Sequence, residues 1–221
     1  MAKSALLLGA SGLVGGYCLQ LLLDDAAYDK VIVLVRKPLA LHHPKLGQQV
    51  VDFSRLQNYA PQVKAHDVFC CLGTTIKKAG SQAAFRQVDF TYPFETAKIA
   101  AANGAEQFLI VTALGADPAS RIFYNRVKGE VEAAIAPLAF RAVHIFRPSL
   151  LLGERQEFRL GERIAERGAN FFSFLFVGLL QKYRPIAVSV VAAAMIAVAK
   201  RNLAGVNIFE SDQIQALGSG E

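Results

Sequence analysis

The sequence predicts an α/β fold with a doubly wound parallel sheet of about seven strands and a small C-terminal helical lid. Three observations support this prediction. Short apolar runs alternate with helical patterns over most of the 221 residues, as is typical of parallel sheets. The run KVIVLV at 30–35 is rich in β-branched residues and unbroken, as expected of a strand covered on both faces. Glycines recur three residues apart directly after the first apolar run.

Composition narrows the class of protein. A hydrophobic fraction of 53% and a charged fraction of 19% favour one folded domain over residues 1–221, with residues 153–185 as the lid. The net charge is +6, but the sequence contains no dense run of basic residues. We therefore expect a phosphorylated small molecule, and no nucleic acid, as the partner. Three cysteines without metal-ligand spacing predict no metal site and a reducing compartment.

The strands are predicted from short apolar runs that follow one another along the chain. The first, at 4–8, ends at a glycine, and Asn103-Gly104 closes the helix that precedes the fifth, because this pair is a helix stop signal. The predicted strands are residues 4–8, 30–35, 49–53, 67–72, 107–112, 140–146 and 206–210.

The helices are predicted from longer segments between these strands. The first starts near Gly12 and stops before Asp24-Asp25, and another ends at Pro137, which cannot continue a helix. The remaining apolar segments near the C-terminus are shorter than the roughly 20 residues that span a bilayer, so we expect a soluble, cytoplasmic protein. The predicted helices are residues 12–23, 81–102, 121–136, 161–167, 171–181 and 189–201.

The glycine-rich turn at the end of the first strand predicts a dinucleotide site. Gly9 would make the tight turn, Gly12 would let a pyrophosphate approach the backbone, and Gly15 would let the helix pack closely on the sheet. A helix N-terminus adds free N–H groups and partial positive charge. The same turn would bring Ser11 and its neighbours to the cofactor. The alternative is a structural turn without a ligand.

The end of the second strand indicates which dinucleotide binds. Arg36 and Lys37 follow the strand without a carboxylate, which favours the extra 2′-phosphate of NADP(H) over NAD; the alternative is a solvated basic turn. After the third strand, Asp52 can accept a hydrogen bond from the adenine amine and Phe53 can supply an apolar wall. Asp52 could equally cap the helical segment that follows.

The fourth strand ends in Cys71-Leu72-Gly73-Thr74. In an open parallel sheet, ligands lie outside the carboxyl ends of the strands near the switch point. We therefore expect Leu72, Gly73 and Thr74 to lie along the cofactor.

A second constellation carries the expected chemistry. Tyr124 and Lys128 are four residues apart on a predicted helix and therefore share a face. A lysine ammonium lowers the pKa of a neighbouring tyrosine, so Tyr124 can give a proton to a carbonyl oxygen as hydride arrives. Lys128 can also bind the nicotinamide ribose, and Thr112 can hold the carbonyl oxygen. The alternative is an exposed helix pair.

These motifs together resemble the short-chain dehydrogenase/reductase superfamily. The glycine spacing resembles its extended and atypical branches. The segments GASGLVGG, VVDF, HDVFCCLGTT, VDFTYPFETAK, GADPASRIFYNRVKGEVE and FRPSLLLGERQE are similar to the atypical group that includes the Tat-interactive protein oxidoreductases and their bacterial relatives. They cover about two thirds of the chain.

The resemblance implies an NADP-binding Rossmann fold with Tyr124, Lys128 and Thr112 at the superfamily's catalytic positions. It also implies that Arg147 and Pro148 lie beside the nicotinamide. Ala113 stands where a second hydroxyl residue is common. The full set of expected cofactor contacts is Gly9, Ser11, Gly12, Leu13, Val14, Gly15, Arg36, Lys37, Asp52, Phe53, Leu72, Gly73, Thr74, Tyr124, Lys128, Arg147 and Pro148.

Two functions remain open from sequence. The first is an NADPH-dependent oxidoreductase that reduces a carbonyl on a small, perhaps apolar, substrate. The second is a non-catalytic NADPH-binding regulator, since some atypical members bind the cofactor and regulate other proteins. An epimerase or dehydratase is disfavoured because only 72 residues follow Ser149. The apolar segment 171–181 is interpreted as core packing, with a substrate lid or a protein-binding surface as the alternative.

Overall fold

A seven-stranded parallel sheet lies at the centre of the protein, in a computed structural model that describes residues 3–153 and 182–220. The strands are β1 (Lys3–Leu8), β2 (Tyr28–Val35), β3 (Leu46–Val50), β4 (Asp67–Cys70), β5 (Gln107–Val111), β6 (Ala142–Arg147), β7 (Leu151–Leu152), β8 (Ile186–Ala187) and β9 (Gly205–Glu210). The order in the main sheet is β3-β2-β1-β4-β5-β6-β9, and β7 pairs with β8 separately. The predicted doubly wound sheet is confirmed.

Helices cover both faces of this sheet. They are α1 (Leu13–Asp24), a 3₁₀ segment (Phe53–Gln62), α2 (Ile76–Ala79), α3 (Gln82–Arg86), a π-helical turn (Gln87–Thr91), α4 (Tyr92–Ala102), α5 (Phe123–Ile135), α6 (Val188–Ala199) and α7 (Ser211–Ser219). Alternate residues of a strand point to opposite faces. Accordingly, Ala5 and Leu7 pack in the core with α1 and α6, whereas Leu6 and Leu8 pack with α4 and α5.

The sheet order places a topological switch point between β1 and β4. The chain runs outward from β1 to β3, then returns to place β4 on the other side of β1. In such sheets the crevice outside the carboxyl ends of the strands binds ligands. The turns after β1 and β4, which contain the predicted glycine loop and Gly73, therefore lie at this crevice.

Several predicted boundaries were wrong. β3 is Leu46–Val50 instead of 49–53, because Asp52 caps the 3₁₀ segment and its carboxylate accepts the Ser54 N–H at 2.9 Å. The predicted helix 81–102 contains the π-helical turn. The short strands β7 and β8 and the helices α2 and α7 were not predicted. The predicted helices 161–167 and 171–181, and most of the lid 153–185, lie outside the described residues.

Candidate functional site

Two glycines of the segment that joins β1 to α1 lie where the neighbouring backbone leaves no room for a side chain. Gly9 has a φ of +82°, and a Cβ there would lie 2.4 Å from the Cys71 carbonyl oxygen. A Cβ on Gly15 would lie 2.1 Å from the Gly9 oxygen. Since both contacts are with backbone atoms, a side chain at either position would displace the turn or the strand beside it.

The N-terminus of α1 faces this turn without a side-chain cap. Gly12 is the N-cap residue, no side chain bonds the first turn, and the first turn contains no acidic residue. Ser11 and Gly12 are exposed, Leu13 is 40% exposed, and Val14 is buried. Free N–H groups and the helix dipole suit an anionic group. The residues present therefore fit the pyrophosphate of a dinucleotide.

The residues expected to select the dinucleotide lie beyond the carboxyl ends of β2 and β3. Arg36 and Lys37 directly follow β2 and are both exposed. Asp52 is exposed, and its Oδ1 accepts hydrogen bonds from the N–H and the hydroxyl of Ser54, which lower the pKa of the Asp52 carboxyl. Phe53 is buried, with its ring centroid 5.3 Å from that of Tyr92. The structure thus gives Asp52 the capping role, and its contact with adenine stays a prediction.

The loop after β4 lies directly beside Lys128. A Cβ on Gly73 would lie 3.6 Å from Oδ1 of Asp89 and 3.9 Å from Nζ of Lys128. The Thr74 N–H donates to Oδ2 of Asp89 at 2.9 Å. Leu72 and Thr74 are half-buried, whereas Gly73 is exposed. The loop therefore joins the switch point to the predicted catalytic helix.

Helix α5 presents Tyr124 and Lys128 at one end of the sheet. Tyr124 is half-buried, with its ring centroid 5.5 Å from that of Phe85. Lys128 is buried, and its Nζ lies 2.7 Å from Oδ1 of Asp89. Burial disfavours the ammonium form of Lys128, but the charge and the hydrogen bond of Asp89 outweigh it, so the pKa of Lys128 is raised. Lys128 is therefore positively charged at neutral pH.

Backbone contacts fix the position of α5. A Cβ on Gly129 would lie 2.2 Å from backbone atoms of both Asp117 and Pro118, so the helix rests directly on that loop. Arg86 forms an ion pair with Glu130 of α5. These contacts hold the helix against the segments before and after β5.

The Thr112 hydroxyl has a different partner from the predicted one. It donates to Oε1 of Glu132 at 2.6 Å, and Thr112 is buried. Glu132 also accepts hydrogen bonds from Nε of Arg147 at 3.1 and 3.2 Å, and these bonds raise the pKa of Arg147. Pro148 is buried beside Arg147, and its carbonyl accepts the Leu114 N–H. Contact of Thr112 with a substrate oxygen stays a prediction.

Two residues of this site were missed from the sequence. Glu132 extends the spacing of Tyr124 and Lys128 by another four residues along α5, and this repeat could have identified it. Asp89 had no such signal, because its position depends on the π-helical turn described below. The two acids hold the charged side chains Lys128 and Arg147 in place.

Concave surface is also found away from these residues. Two open cavities, of about 500 and 600 Å³, share Pro44 and Leu46 in their linings, beside the outermost strand β3. The second cavity is lined in addition by Ser4, Lys30 and His66 at the opposite end of the strands. Neither cavity is lined by Tyr124 or by any residue of the glycine-rich turn.

Two kinds of feature are absent from the part of the chain that the structure describes. Within residues 3–153 and 182–220, no helix has both the length and the apolar character needed to cross a membrane. In the same part of the chain, no three His, Cys, Asp or Glu side chains come together as metal ligands.

Relatives of known sequence match nearly the whole chain. Protein HTATIP2 of Rattus norvegicus is 38% identical over 220 residues, which are 98% of this chain and 89% of the rat protein. Protein FMP52, mitochondrial, of Candida albicans is 31% identical over 209 residues, or 91% of this chain and 90% of that protein. No protein-family model matches. The mitochondrial name of FMP52 does not support the predicted cytoplasmic location, which stays a prediction.

Solved structures share the fold. MoeE5 in complex with UDP-glucuronic acid and NAD has a TM-score of 0.70 at 17% identity, over 93% of this chain and 75% of MoeE5. WbmH of Bordetella bronchiseptica in complex with NAD+ has a TM-score of 0.70 at 14% identity, over 96% and 76% of the two chains. A short chain dehydrogenase family protein of Francisella tularensis has a TM-score of 0.68 at 14% identity, over 96% and 99%.

Proposed function

This chain belongs to the atypical short-chain dehydrogenase/reductases, in the group of the HTATIP2 and FMP52 proteins, and we propose that it is an NADPH-dependent reductase of a small carbonyl compound. One observation carries the proposal: the glycine-rich turn at the switch point lies on the same edge of the sheet as Tyr124 and the buried Lys128. The NAD complexes of MoeE5 and WbmH support a nicotinamide dinucleotide as the cofactor.

The glycine-rich turn would hold the pyrophosphate. The glycines of this turn and the uncapped start of α1 are suited to this group. Arg36 and Lys37 would hold the 2′-phosphate of NADPH, because both are cationic and exposed at the carboxyl end of β2. The loop containing Gly73 and Thr74 would line the nicotinamide half.

Tyr124 would act as the proton donor. Bound NADPH supplies hydride to the carbonyl carbon. The Tyr124 hydroxyl gives its proton to the carbonyl oxygen, so that an alcohol forms. Lys128 keeps its positive charge beside Tyr124 and binds the ribose, while Asp89 prevents it from moving away. Arg147, bound by Glu132, would flank the nicotinamide.

The proposal is tested by turnover. Purified protein is mixed with NADPH and a panel of aldehydes and ketones, and oxidation of NADPH is followed by its absorbance. We expect at least one substrate, and Tyr124→Phe should lower kcat about 100-fold or more while leaving NADPH binding intact. Tyr59→Phe, at a half-buried tyrosine of the 3₁₀ segment, is the matched control. If no compound of the panel is turned over, the proposal that the protein is a reductase is contradicted.

A non-catalytic NADPH-binding protein is the second candidate. The observation that favours it is the bond from Thr112 to Glu132, because it occupies the hydroxyl that a reductase would use to hold the substrate oxygen. Tight NADPH binding without turnover, unchanged by Tyr124→Phe, would support this candidate.

A further inference from the structure

The larger of the two open cavities described above lies at the amino ends of the strands, away from the glycine-rich turn. Its volume is about 600 Å³. The role proposed for the dinucleotide and for Tyr124 uses none of the side chains around it. Its polar lining is formed by Ser4, Asp29, Lys30, Lys45 and His66.

The hydrogen bonds of His66 assign the tautomer of its ring. Nδ1 accepts the Ser4 N–H at 3.0 Å and lies 2.9 Å from the Ser4 hydroxyl oxygen. A ring nitrogen that accepts a hydrogen bond carries no proton, so the proton of the neutral ring is on Nε2. In this tautomer Nε2 donates to an acceptor and does not bind a metal ion. His66 is exposed, whereas Asp67, the next residue, is fully buried behind it.

The register of the sheet brings Lys30 close to this ring. Ser4 of β1 pairs with Lys30 of β2, and paired residues of neighbouring strands lie side by side on the same face. His66 bonds to Ser4 from the other side, because β4 begins one residue later and flanks β1 opposite β2. The Lys30 ammonium and the Nε2–H of His66 therefore border one cavity.

The pairing of β1 and β2 is irregular at this point. Lys3 pairs with Tyr28, and the next residue, Ser4, pairs with Lys30. Asp29 is an extra residue opposite β1, which makes this a β-bulge, and bulges redirect side chains next to functional sites. Asp29 lines the same cavity as Lys30, so one carboxylate there opposes the positive charge.

Positive charge nevertheless exceeds negative charge around the cavity. Lys30 is exposed, and the Nζ of Lys45 donates to the Asp25 carbonyl at 2.9 Å, which holds its charge in place. The whole segment 30–51 contains four Lys or Arg residues and no carboxylate. These surroundings favour an anion. Because Pro44 and Leu46 add an apolar wall, they favour an anion that carries an organic group.

We propose that this cavity binds a phosphate monoester whose organic group is small and partly apolar. Such an ester has about two negative charges at neutral pH, which match the two lysines of the lining. Its oxygens accept hydrogen bonds from the Lys30 ammonium and the His66 Nε2–H at once. The organic group packs on Pro44 and Leu46. The site is separate from the proposed dinucleotide site, so either proposal can fail without the other.

The experiment follows the histidine rings of the full chain by NMR. The chain has only four histidines, so the signals of their ring protons can be separated, and His66→Gln assigns the His66 signal. Phenyl phosphate is added at a constant pH of about 8, above the usual pKa of histidine and the second pKa of a phosphate ester. The same titration is made with phenol and with inorganic phosphate.

We expect phenyl phosphate to shift the His66 signal to saturation and to leave the signal of the buried His144 unchanged. His42 is exposed but does not line this cavity, so its signal reports the general effect of added ions. A shift of His42 as large as that of His66, or no saturable shift of His66, would overturn the proposal.

The two other compounds test the class of ligand. Phenol has no charge at this pH and should give no saturable shift of the His66 signal. Inorganic phosphate should reach half-saturation at a concentration at least about threefold higher than phenyl phosphate, because it leaves the apolar wall uncovered. Equal half-saturation by the two phosphates, or saturation by phenol, would overturn the assignment of a phosphate monoester.

Three variants test the charges that the proposal invokes. Lys30→Met should raise the half-saturating concentration of phenyl phosphate about tenfold, and Asp29→Asn should lower it about threefold because a repelling charge is removed. Lys77→Met, at an exposed lysine of α2, is the matched control and should change it less than about twofold. Equal effects of the two lysine variants, or an affinity of Asp29→Asn no higher than that of the wild type, would overturn the proposal.

Discussion

The two edges of the sheet each hold a buried carboxylate, but with different partners. At the amino edge, Asp67 accepts hydrogen bonds from the Tyr28 hydroxyl at 2.7 Å and the Gln107 amide at 2.9 Å, and pairs with the partly exposed Lys3. At the carboxyl edge, Asp89 pairs with the fully buried Lys128 at 2.7 Å. Neutral donors dominate the first site, whereas the second site places a full charge opposite a full charge.

The difference shows which feature marks a functional site. The amino-edge network joins side chains from five strands to each other and to the Ala199 carbonyl of α6, and its carboxylate has its partners within the fold. The carboxyl-edge pair borders exposed backbone at Gly73. A buried carboxylate is common to both edges, so burial alone does not distinguish them; the exposed backbone at Gly73 does, and it lies where we predict the cofactor.

The largest expected effect is that of a methyl group in the turn. In Gly15→Ala the new Cβ would meet the Gly9 carbonyl oxygen at 2.1 Å, so we expect NADPH affinity to fall about 100-fold or more, equivalent to roughly 3 kcal/mol. Calorimetric titration measures this loss. The control is Gly16→Ala, where the added carbon would lie 3.7 Å from the Ala10 oxygen. Equal NADPH affinity in the two variants would contradict the proposal that the glycine-rich turn binds the pyrophosphate.

A substitution at the amino edge should lower the stability of the fold and leave NADPH affinity unchanged. Asp67→Asn places an amide donor among the donors of Tyr28 and Gln107, so we expect the free energy of unfolding to fall by about 3 kcal/mol. Urea denaturation followed by circular dichroism measures it. A comparable fall in NADPH affinity, in protein that is still folded, would contradict the division between a structural and a functional edge.

The preference for NADPH over NADH is expected to depend on Arg36 at the carboxyl edge. Arg36→Ala removes one charged contact with the 2′-phosphate, which should weaken NADPH relative to NADH by about 1.5–3 kcal/mol, or roughly 10- to 100-fold. Arg201→Ala is the control, because Arg201 is exposed and precedes the amino end of β9. Equal losses for both dinucleotides would exclude Arg36 as the phosphate contact.

The smallest expected effect is a pH dependence from the amino edge. Burial lowers the pKa of His144 from its usual 6.5 to about 4. The unfolded chain therefore binds more protons than the folded protein between these two values, and stability falls as the pH drops through this range. We expect His144 to account for about 1–2 kcal/mol of this loss at pH 5.

His144→Gln should remove that part of the pH dependence. His42→Gln is the control because His42 is exposed. Urea midpoints at pH 7 and pH 5 give the comparison. An unchanged pH dependence in His144→Gln would show that His144 is not the titrating group.

The sequence predicted those parts of the molecule that depend on local pattern. Apolar runs predicted six of the seven main-sheet strands to within a few residues, and the glycine spacing predicted the tight turn at Gly9 and the close packing at Gly15. β3 was placed three residues too late because its residues are only half-buried or exposed and give no apolar run. Asp52 then joined the predicted strand, although it caps the next segment.

The partners of the charged residues could not be predicted in the same way. Lys128 was expected to face Tyr124, but its ion pair depends on a π-helical turn that Pro93 imposes on another helix. The Thr112 hydroxyl was expected to hold a substrate oxygen, and it donates to Glu132 of α5 once the two elements pack together. Each contact joins segments far apart in the chain, and spacing within one helix does not reveal them.

The most direct test is calorimetric titration of the purified protein with NADPH, NADP+, NADH and NAD+. We predict saturable binding of NADPH, at least about tenfold tighter than that of NADH, because in our proposal the turn at Gly9 would receive the pyrophosphate and Arg36 would receive the 2′-phosphate. Absence of binding heat with all four dinucleotides would contradict the claim that this edge of the sheet is a dinucleotide site.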